Sequence, residues 1–232
     1  MTQFDYEDFD KRYRDSLGYE IADGFYAIFY SQIVSSSLMI IGHNPGGEPG
    51  EIKQQSVKIE EGFHEYVSNA HEDASNRYRL ATNMRSYLTR LLNISVDEIS
   101  SIPKINLVFR RSKDKNSFSK DHNELTMWKA AEHDQEFVQE LISTVDPSAI
   151  IFEGHEAWKK FCKLYCEPDC SVVWELKAGN DVRLIQLSNP FVKCLGRNIR
   201  AVILAHPSRY GTWGAMAEGD EAVRAHLGCK LT

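Results

Sequence analysis

Leu38-Met39-Ile40-Ile41-Gly42-His43-Asn44-Pro45-Gly46-Gly47 is the stretch from which the fold is read. A short apolar run of strand type stops at Gly42, and a polar, glycine-rich turn containing Asn44-Pro45 follows at once. In open α/β sheets, ligands sit outside the carboxyl ends of the strands, so such a turn is a candidate site wall. The pattern recurs near the other end of the chain. Ala201-Val202-Ile203-Leu204-Ala205 runs into His206-Pro207-Ser208-Arg209-Tyr210-Gly211. If the two strands are neighbours in one sheet, Asn44 and His206 face one pocket.

The chain between these stretches alternates strands with helices. Strands are expected at 38–42, 105–109, 149–153 and 199–205. Leu80, Met84, Tyr87, Leu88, Leu91 and Leu92 make a helical stripe, and Phe137, Val138, Leu141, Ile142 and Val145 mark a second helix over about 125–145, ended by Pro147. Gly154 opens a short helix carrying Trp158, Phe161 and Tyr165, and a last helix covers about 215–227. Residues 171–176 and 182–188 alternate as a hairpin around Gly179-Asn180. Tyr26, Phe29, Tyr30 and Ile33 have helix spacing, so residues 1–36 are expected to form a helical N-terminal extension interrupted at Gly18 and Gly24. Residues 43–74 are polar and without periodicity, as functional loops often are. Strand–helix alternation implies a sheet covered on both faces. The expectation is therefore one α/β domain over 1–232, a three-layer αβα sandwich around a central four-stranded, mainly parallel sheet.

The totals exclude several classes. The 232 residues are 42% hydrophobic and 26% charged, as in ordinary globular proteins. No apolar run approaches the roughly 20 residues of a membrane helix, and the acidic, polar start is no secretory signal. Five cysteines, an odd number, argue against a disulfide framework and for a reducing, cytoplasmic compartment. Cys162, Cys166 and Cys170 are spaced for one helix face and its exit, with Cys194 as a conceivable fourth ligand. No pair has C-x-x-C spacing, and the reading is of buried free thiols, with no metal and no cofactor. The net charge is −6, yet Lys104, Arg110, Arg111, Lys113, Lys115 and Lys120 crowd one region against Asp114 alone. That crowd reads either as a solvated loop or as a phosphate-binding rim.

The two signatures are neither a G-x-G-x-x-G fingerprint nor a Walker loop, since the spacing and the Lys-Ser/Thr are missing. Asn-Pro-Gly alone is ordinary turn chemistry. The joint placement of both turns after apolar strands carries more information. Gly42-His43-Asn44-Pro45-Gly46 resembles the first motif of the uracil-DNA glycosylase superfamily, in the Asn-containing form of its mismatch-specific and single-strand-selective branches. His206-Pro207-Ser208 resembles its second motif. Ile105-Asn106-Leu107-Val108-Phe109-Arg110-Arg111-Ser112 is similar to the second strand of the mismatch-specific branch, and Asn83-Met84-Arg85-Ser86-Tyr87-Leu88 to the helix before it. The likeness in element order runs from about 38 to 227.

The resemblance implies a glycosylase of the same fold that flips uracil or a related damaged or mismatched base out of DNA and hydrolyses its N-glycosidic bond. Asn44 would hold the water and His206 would stabilise the departing base. Gly42 and His43 would line the base pocket. Families of this kind stack an aromatic on the base after the first motif; residues 48–62 hold none, so Phe63 is the first candidate and Tyr66 the next. Asn106, read as beginning the second strand, is the candidate amide for the base edge. Ser208, Arg209, Tyr210, Arg110, Arg111 and the helix start at Gly154 would contact DNA, with Tyr210 filling the gap left by the flipped base. The partner would be duplex or single-stranded DNA bound by a monomer, with no membrane. The alternative is a weak or inactive protein of this fold that binds nucleic acid or a free base or nucleotide, a reading favoured by the acidic balance and by an amide where a carboxylate would be the stronger base.

Overall fold

The computed structural model describes residues 4–18, 26–45, 63–68, 79–112, 116–167, 170–178, 182–189, 192–206 and 217–228. Within them lie helices α1 (Tyr6–Ser16), α2 (Glu65–Ser68), α3 (Arg79–Leu92), α4 (Phe118–Asp121), α5 (Met127–His133), α6 (Gln135–Val145), α7 (His155–Tyr165) and α8 (Ala217–Leu227). The strands are β1 (Leu38–Gly42), β2 (Lys104–Asn106), β3 (Ala149–Glu153), β4 (Val172–Ala178), β5 (Val182–Ser188), β6 (Val192–Cys194) and β7 (Arg197–Leu204).

The sheet order is β2-β1-β3-β7-β5-β4, with β6 paired to β7. The first four strands are mutually parallel. They are the four expected from sequence, and the antiparallel β5, β4 and β6 extend the same sheet to seven strands. The hairpin at 172–188 is therefore part of the central sheet. β6 was not foreseen, because three residues give too short an alternation to register.

The central strands are buried on both faces, as their near-continuous apolar runs require. Met39, Ile41, Ile105, Ile150, Phe152, Ala201 and Ile203 face one way, onto α1, α6 and α7 through Phe9, Tyr13, Leu141, Val145, Trp158 and Phe161. Ile40, Ile151, Val202 and Leu204 face the other way, onto α3 and α8 through Met84, Tyr87, Leu88, Leu91, Val223 and Leu227. The result is a mixed α/β architecture with helices on both sides of a central sheet.

Two expectations need correction. Only Tyr6–Ser16 of the described N-terminal residues is helical, capped by Asp5, which accepts from Asp8 N at 3.0 Å. Residues 26–36 form no helix despite the helical spacing of Tyr26, Phe29, Tyr30 and Ile33, and are bridged to the rest of the fold at Tyr26 and Ser31. Their aromatic and β-branched side chains suit β-type pairing, and tertiary pairing supplies the hydrogen bonds. Tyr26 bridges Arg110, Ser31 bridges His64, and Ala27 N donates to Phe109 O at 2.8 Å. Likewise the long helix over 125–145 is two helices meeting at Asp134, whose ψ of −3° departs from α geometry. Its fully buried carboxylate accepts from Phe109 N at 2.8 Å and Tyr13 Oη at 3.1 Å.

Candidate functional site

Two of the four parallel strands end on polar residues, β2 on Asn106 and β3 on Glu153. In register, Gly42 pairs with Asn106 and Glu153 with Leu204. Asn106 thus ends β2, where sequence reading placed it at the strand's beginning, and its amide meets the Glu153 carboxyl over Gly42. A Cβ on Gly42 would overlap Asn106 Oδ1 and lie 2.9 Å from Glu153 Oε2. The glycine is there because two side chains from the flanking strands occupy the space a third would need.

The turn leaving β1 is held by the backbone leaving β2. Leu107 N donates to Gly42 O at 3.1 Å, Val108 N to His43 O at 3.0 Å, and Ser112 N to Pro45 O at 3.2 Å. Within the turn, Asn44 Nδ2 donates to Pro45 O at 3.0 Å, which fixes the half-buried amide. His206 lies two residues beyond β7 and rests against Gly154, where a Cβ would be 3.5 Å from its Cδ2. β3 lies between β1 and β7, so the two signature strands are not neighbours. The exits of β1 and β7 instead flank the exit of β3, and Glu153-Gly154 stands between Asn44 and His206. Gly154 N donates to Leu204 O at 2.9 Å, and its φ of +108° disfavours any side chain there.

Glu153 belongs to a buried charge cluster beneath these exits. Lys104 Nζ lies 2.8 Å from Glu65 Oε2 and 3.4 Å from Glu153 Oε2, and over the rings of Tyr30 and Tyr66 at 4.5 and 5.2 Å. Lys104 and Glu153 are 2% and 3% exposed, so their charges cannot be left to solvent. One ammonium facing two carboxylates leaves an excess negative charge in low dielectric. Desolvation, and then repulsion from Glu65, hold the Glu153 carboxyl well above its ordinary range. Glu153 Oε1 is buried without a hydrogen-bond partner among the described residues. Burial, followed by the neighbouring Glu65 charge, also raises the Tyr30 phenol, whose hydroxyl faces Asn106.

His64 stands at the back of the cluster as a neutral ring. Its Nε2 is 3.1 Å from Ile102 O, and its Nδ1 accepts from Tyr66 N at 3.1 Å. This is one tautomer with both nitrogens used, and a second ring proton would confront a backbone N–H. Burial and the Lys104 charge push the His64 pKa down to about 3.

The remaining expected residues divide. Gly42, His43, Asn44, Asn106, Gly154 and His206 are brought to the strand exits. Phe63 is half-buried next to His64, while Tyr66 is fully buried. Arg110 and Arg111 are each 4% exposed and do not form an exposed basic rim. Arg110 Nη1 lies 3.4 Å from Asp134 Oδ1, and Arg111 acts electrostatically on Tyr30. Lys104, counted with the same basic crowd, is the centre of the charge cluster. The arginines are buried because the chain after β2 runs on between the β1 turn and residues 26–27 instead of opening to solvent. Ser208, Arg209 and Tyr210 lie outside the described residues.

The sequence reading missed Glu65, Tyr30 and Glu153 as site residues and put Lys104 in a basic rim, not in a buried cluster. Glu153 had a usable signal, an apolar run Ala149-Ile150-Ile151-Phe152 ending on an acid before a glycine. Lys104 and Glu65 had none, since their pairing spans the fold. No protein-family model matches this chain, and no curated protein shows significant similarity to it.

Proposed function

We propose that the protein is a DNA glycosylase of the uracil-DNA glycosylase superfamily fold, hydrolysing the N-glycosidic bond of uracil or a related damaged base. The observation that carries this reading is the grouping of Asn44, Asn106, Glu153 and His206 at the exits of parallel strands, in the order β2-β1-β3-β7.

Cleavage of the bond builds positive charge on the sugar and negative charge on the departing base. Water supplies the oxygen of the new C1′–O bond, the base leaves with the electron pair of the broken C1′–N bond, and the proton that water gives up passes through solvent to the base anion. Asn44 positions the water by hydrogen bonding. His206 donates to the base oxygen as charge develops. Asn106 and Glu153 Oε1, which has no hydrogen-bond partner among the described residues, offer an amide and a carboxyl oxygen to the N–H and C=O groups of a base edge. Extruding the base costs a few kcal/mol, and the positive dipole end at the start of α7 suits a phosphate oxygen.

The test is incubation of the protein in excess over duplex and single-stranded oligonucleotides carrying uracil, hypoxanthine, xanthine or a thymine mismatch. Abasic product is expected from at least one substrate. His206→Ala is expected to slow it by about 10²–10³-fold, the usual effect of losing one such donor. No product from any substrate overturns the reading. A second reading, a binder of a free base or nucleotide without turnover, is favoured by the burial of Arg110 and Arg111, which removes two cations from any DNA-facing rim. Saturable, salt-insensitive binding of a free base without cleavage would support it, because DNA binding weakens steeply with salt.

A further inference from the structure

Three cysteines closely spaced in the chain, Cys162, Cys166 and Cys170, are joined by a fourth, Cys194, from a separate strand. Cys162 lies in the last turn of α7, Cys166 caps that helix, Cys170 follows in the next segment, and Cys194 ends β6. The Sγ atoms of Cys162, Cys166 and Cys170 all lie within 4.8 Å of one another. Cys166 is in side-chain hydrogen-bond contact with Cys162, Cys170 and also Cys194. All four are free thiols, three half-buried and Cys194 fully buried.

Backbone contacts fix this arrangement. Cys166 and Cys194 form an antiparallel bridge. Glu167 N donates to Lys193 O at 3.1 Å, and Leu195 N to Tyr165 O at 3.2 Å. The β6–β7 turn is tight, with φ of +50° at Leu195 and +79° at Gly196, the pattern of a two-residue hairpin turn. The thiols are thus presented by two elements clamped together on either side of them.

We propose that Cys162, Cys166, Cys170 and Cys194 form a structural zinc site that staples the exit of α7 to the β6–β7 hairpin. Zinc takes four thiolates tetrahedrally at about 2.3 Å, which places the sulfurs roughly 3.8 Å apart; Cys162, Cys166 and Cys170 lie within 4.8 Å of one another, and Cys194 joins them through Cys166. An iron–sulfur cube needs its thiolates farther apart, because irons and bridging sulfides lie between them. The four cysteines sit at the edge of the apolar core, with the sulfurs of Cys162, Cys166 and Cys170 turned toward one another and Cys166 also in contact with Cys194. Binding releases the thiol protons to solvent and involves no oxidation. The site is separate from the strand exits and independent of the glycosylase reading. Its consequence for the fold is that β7, the strand leading to His206, is tied to α7, whose first turn lies beside His206.

The experiment uses the full chain, prepared reduced under anaerobic conditions with zinc in the growth medium. Elemental analysis is expected to give about one zinc per chain, released by a mercurial and captured by a colorimetric chelator. Replacing zinc by Co²⁺ is expected to give thiolate-to-cobalt charge transfer and the intense visible bands of a tetrahedral site, and stripping the metal to lower Tm. Cys166→Ser is expected to abolish uptake, and Cys229→Ser to leave it intact. If Cys166→Ser does not fold, the Co²⁺ spectrum of the unmodified chain decides alone. A chain that contains no zinc and gives no charge-transfer band with Co²⁺ overturns the proposal. So does bound iron with an iron–sulfur absorption spectrum, or a disulfide among these four residues in the freshly isolated protein.

Discussion

Gly42 shows how much one residue can decide. Its missing side chain is the space in which Asn106 and Glu153 meet. Gly42→Ala should force both groups apart, with a stability loss of about 1–3 kcal/mol, the usual cost of overpacking. A urea titration measures it. Glu153 and His64 have opposite linkage to pH. Glu153 has a raised pKa in the fold, so the stability it contributes is complete below its unfolded value and is lost as pH rises through the folded one. His64 has a depressed pKa, so its contribution is complete above roughly 6.5 and is lost as pH falls toward about 3. In the unmodified protein the two slopes oppose one another in mildly acidic solution. Glu153→Gln should therefore steepen the loss of Tm between about pH 6.5 and 4 while raising Tm at neutral pH, and His64→Gln should flatten it. Thermal melts across pH read both outcomes.

At the scale of elements, Asp134 explains why one amphipathic stripe became two helices. The stripe over 125–145 is present, but the buried carboxylate within it serves other segments. It accepts from Phe109 N and Tyr13 Oη and neutralises Arg110. Asp134→Ala should cost about 3–5 kcal/mol, because it strands a buried guanidinium, and Asp134→Asn should cost less by keeping the acceptor for Phe109 N. Denaturant midpoints of both variants test this. The run at 26–36 has the same lesson. Its periodicity suits a helix, and pairing with residues 64 and 109–110 overrides it.

Across the whole molecule, α3 and α8 cover one sheet face and are joined at their outer edges. Arg90 Nε lies 2.7 Å from Asp220 Oδ2, with Asp220 6% exposed, and Arg224 donates to the Leu91 and Arg90 carbonyls. Asp220→Ala should lower stability by about 1.5–3 kcal/mol, the range for hydrogen bonds to charged groups. The urea midpoint should fall with the m-value unchanged, since the surface exposed on unfolding stays the same.

What the sequence determined by itself was local. Apolar runs ending in glycine located β1 and β3 to the residue, the 3.6-residue stripes located α3 and α6, and the strand-end logic placed Gly42, Asn44, Gly154 and His206 at the strand exits. These follow from period and turn chemistry, which neighbouring residues carry. Only the tertiary structure decided that β3 separates β1 from β7, that Arg110 and Arg111 are buried, and that Lys104 is shared by Glu65 and Glu153. It also decided that Cys194 of the hairpin meets Cys166, beside Cys162 and Cys170. Strand order, burial of charge and the convergence of distant thiols depend on which faces are covered by segments far away in the chain, and no local pattern records that.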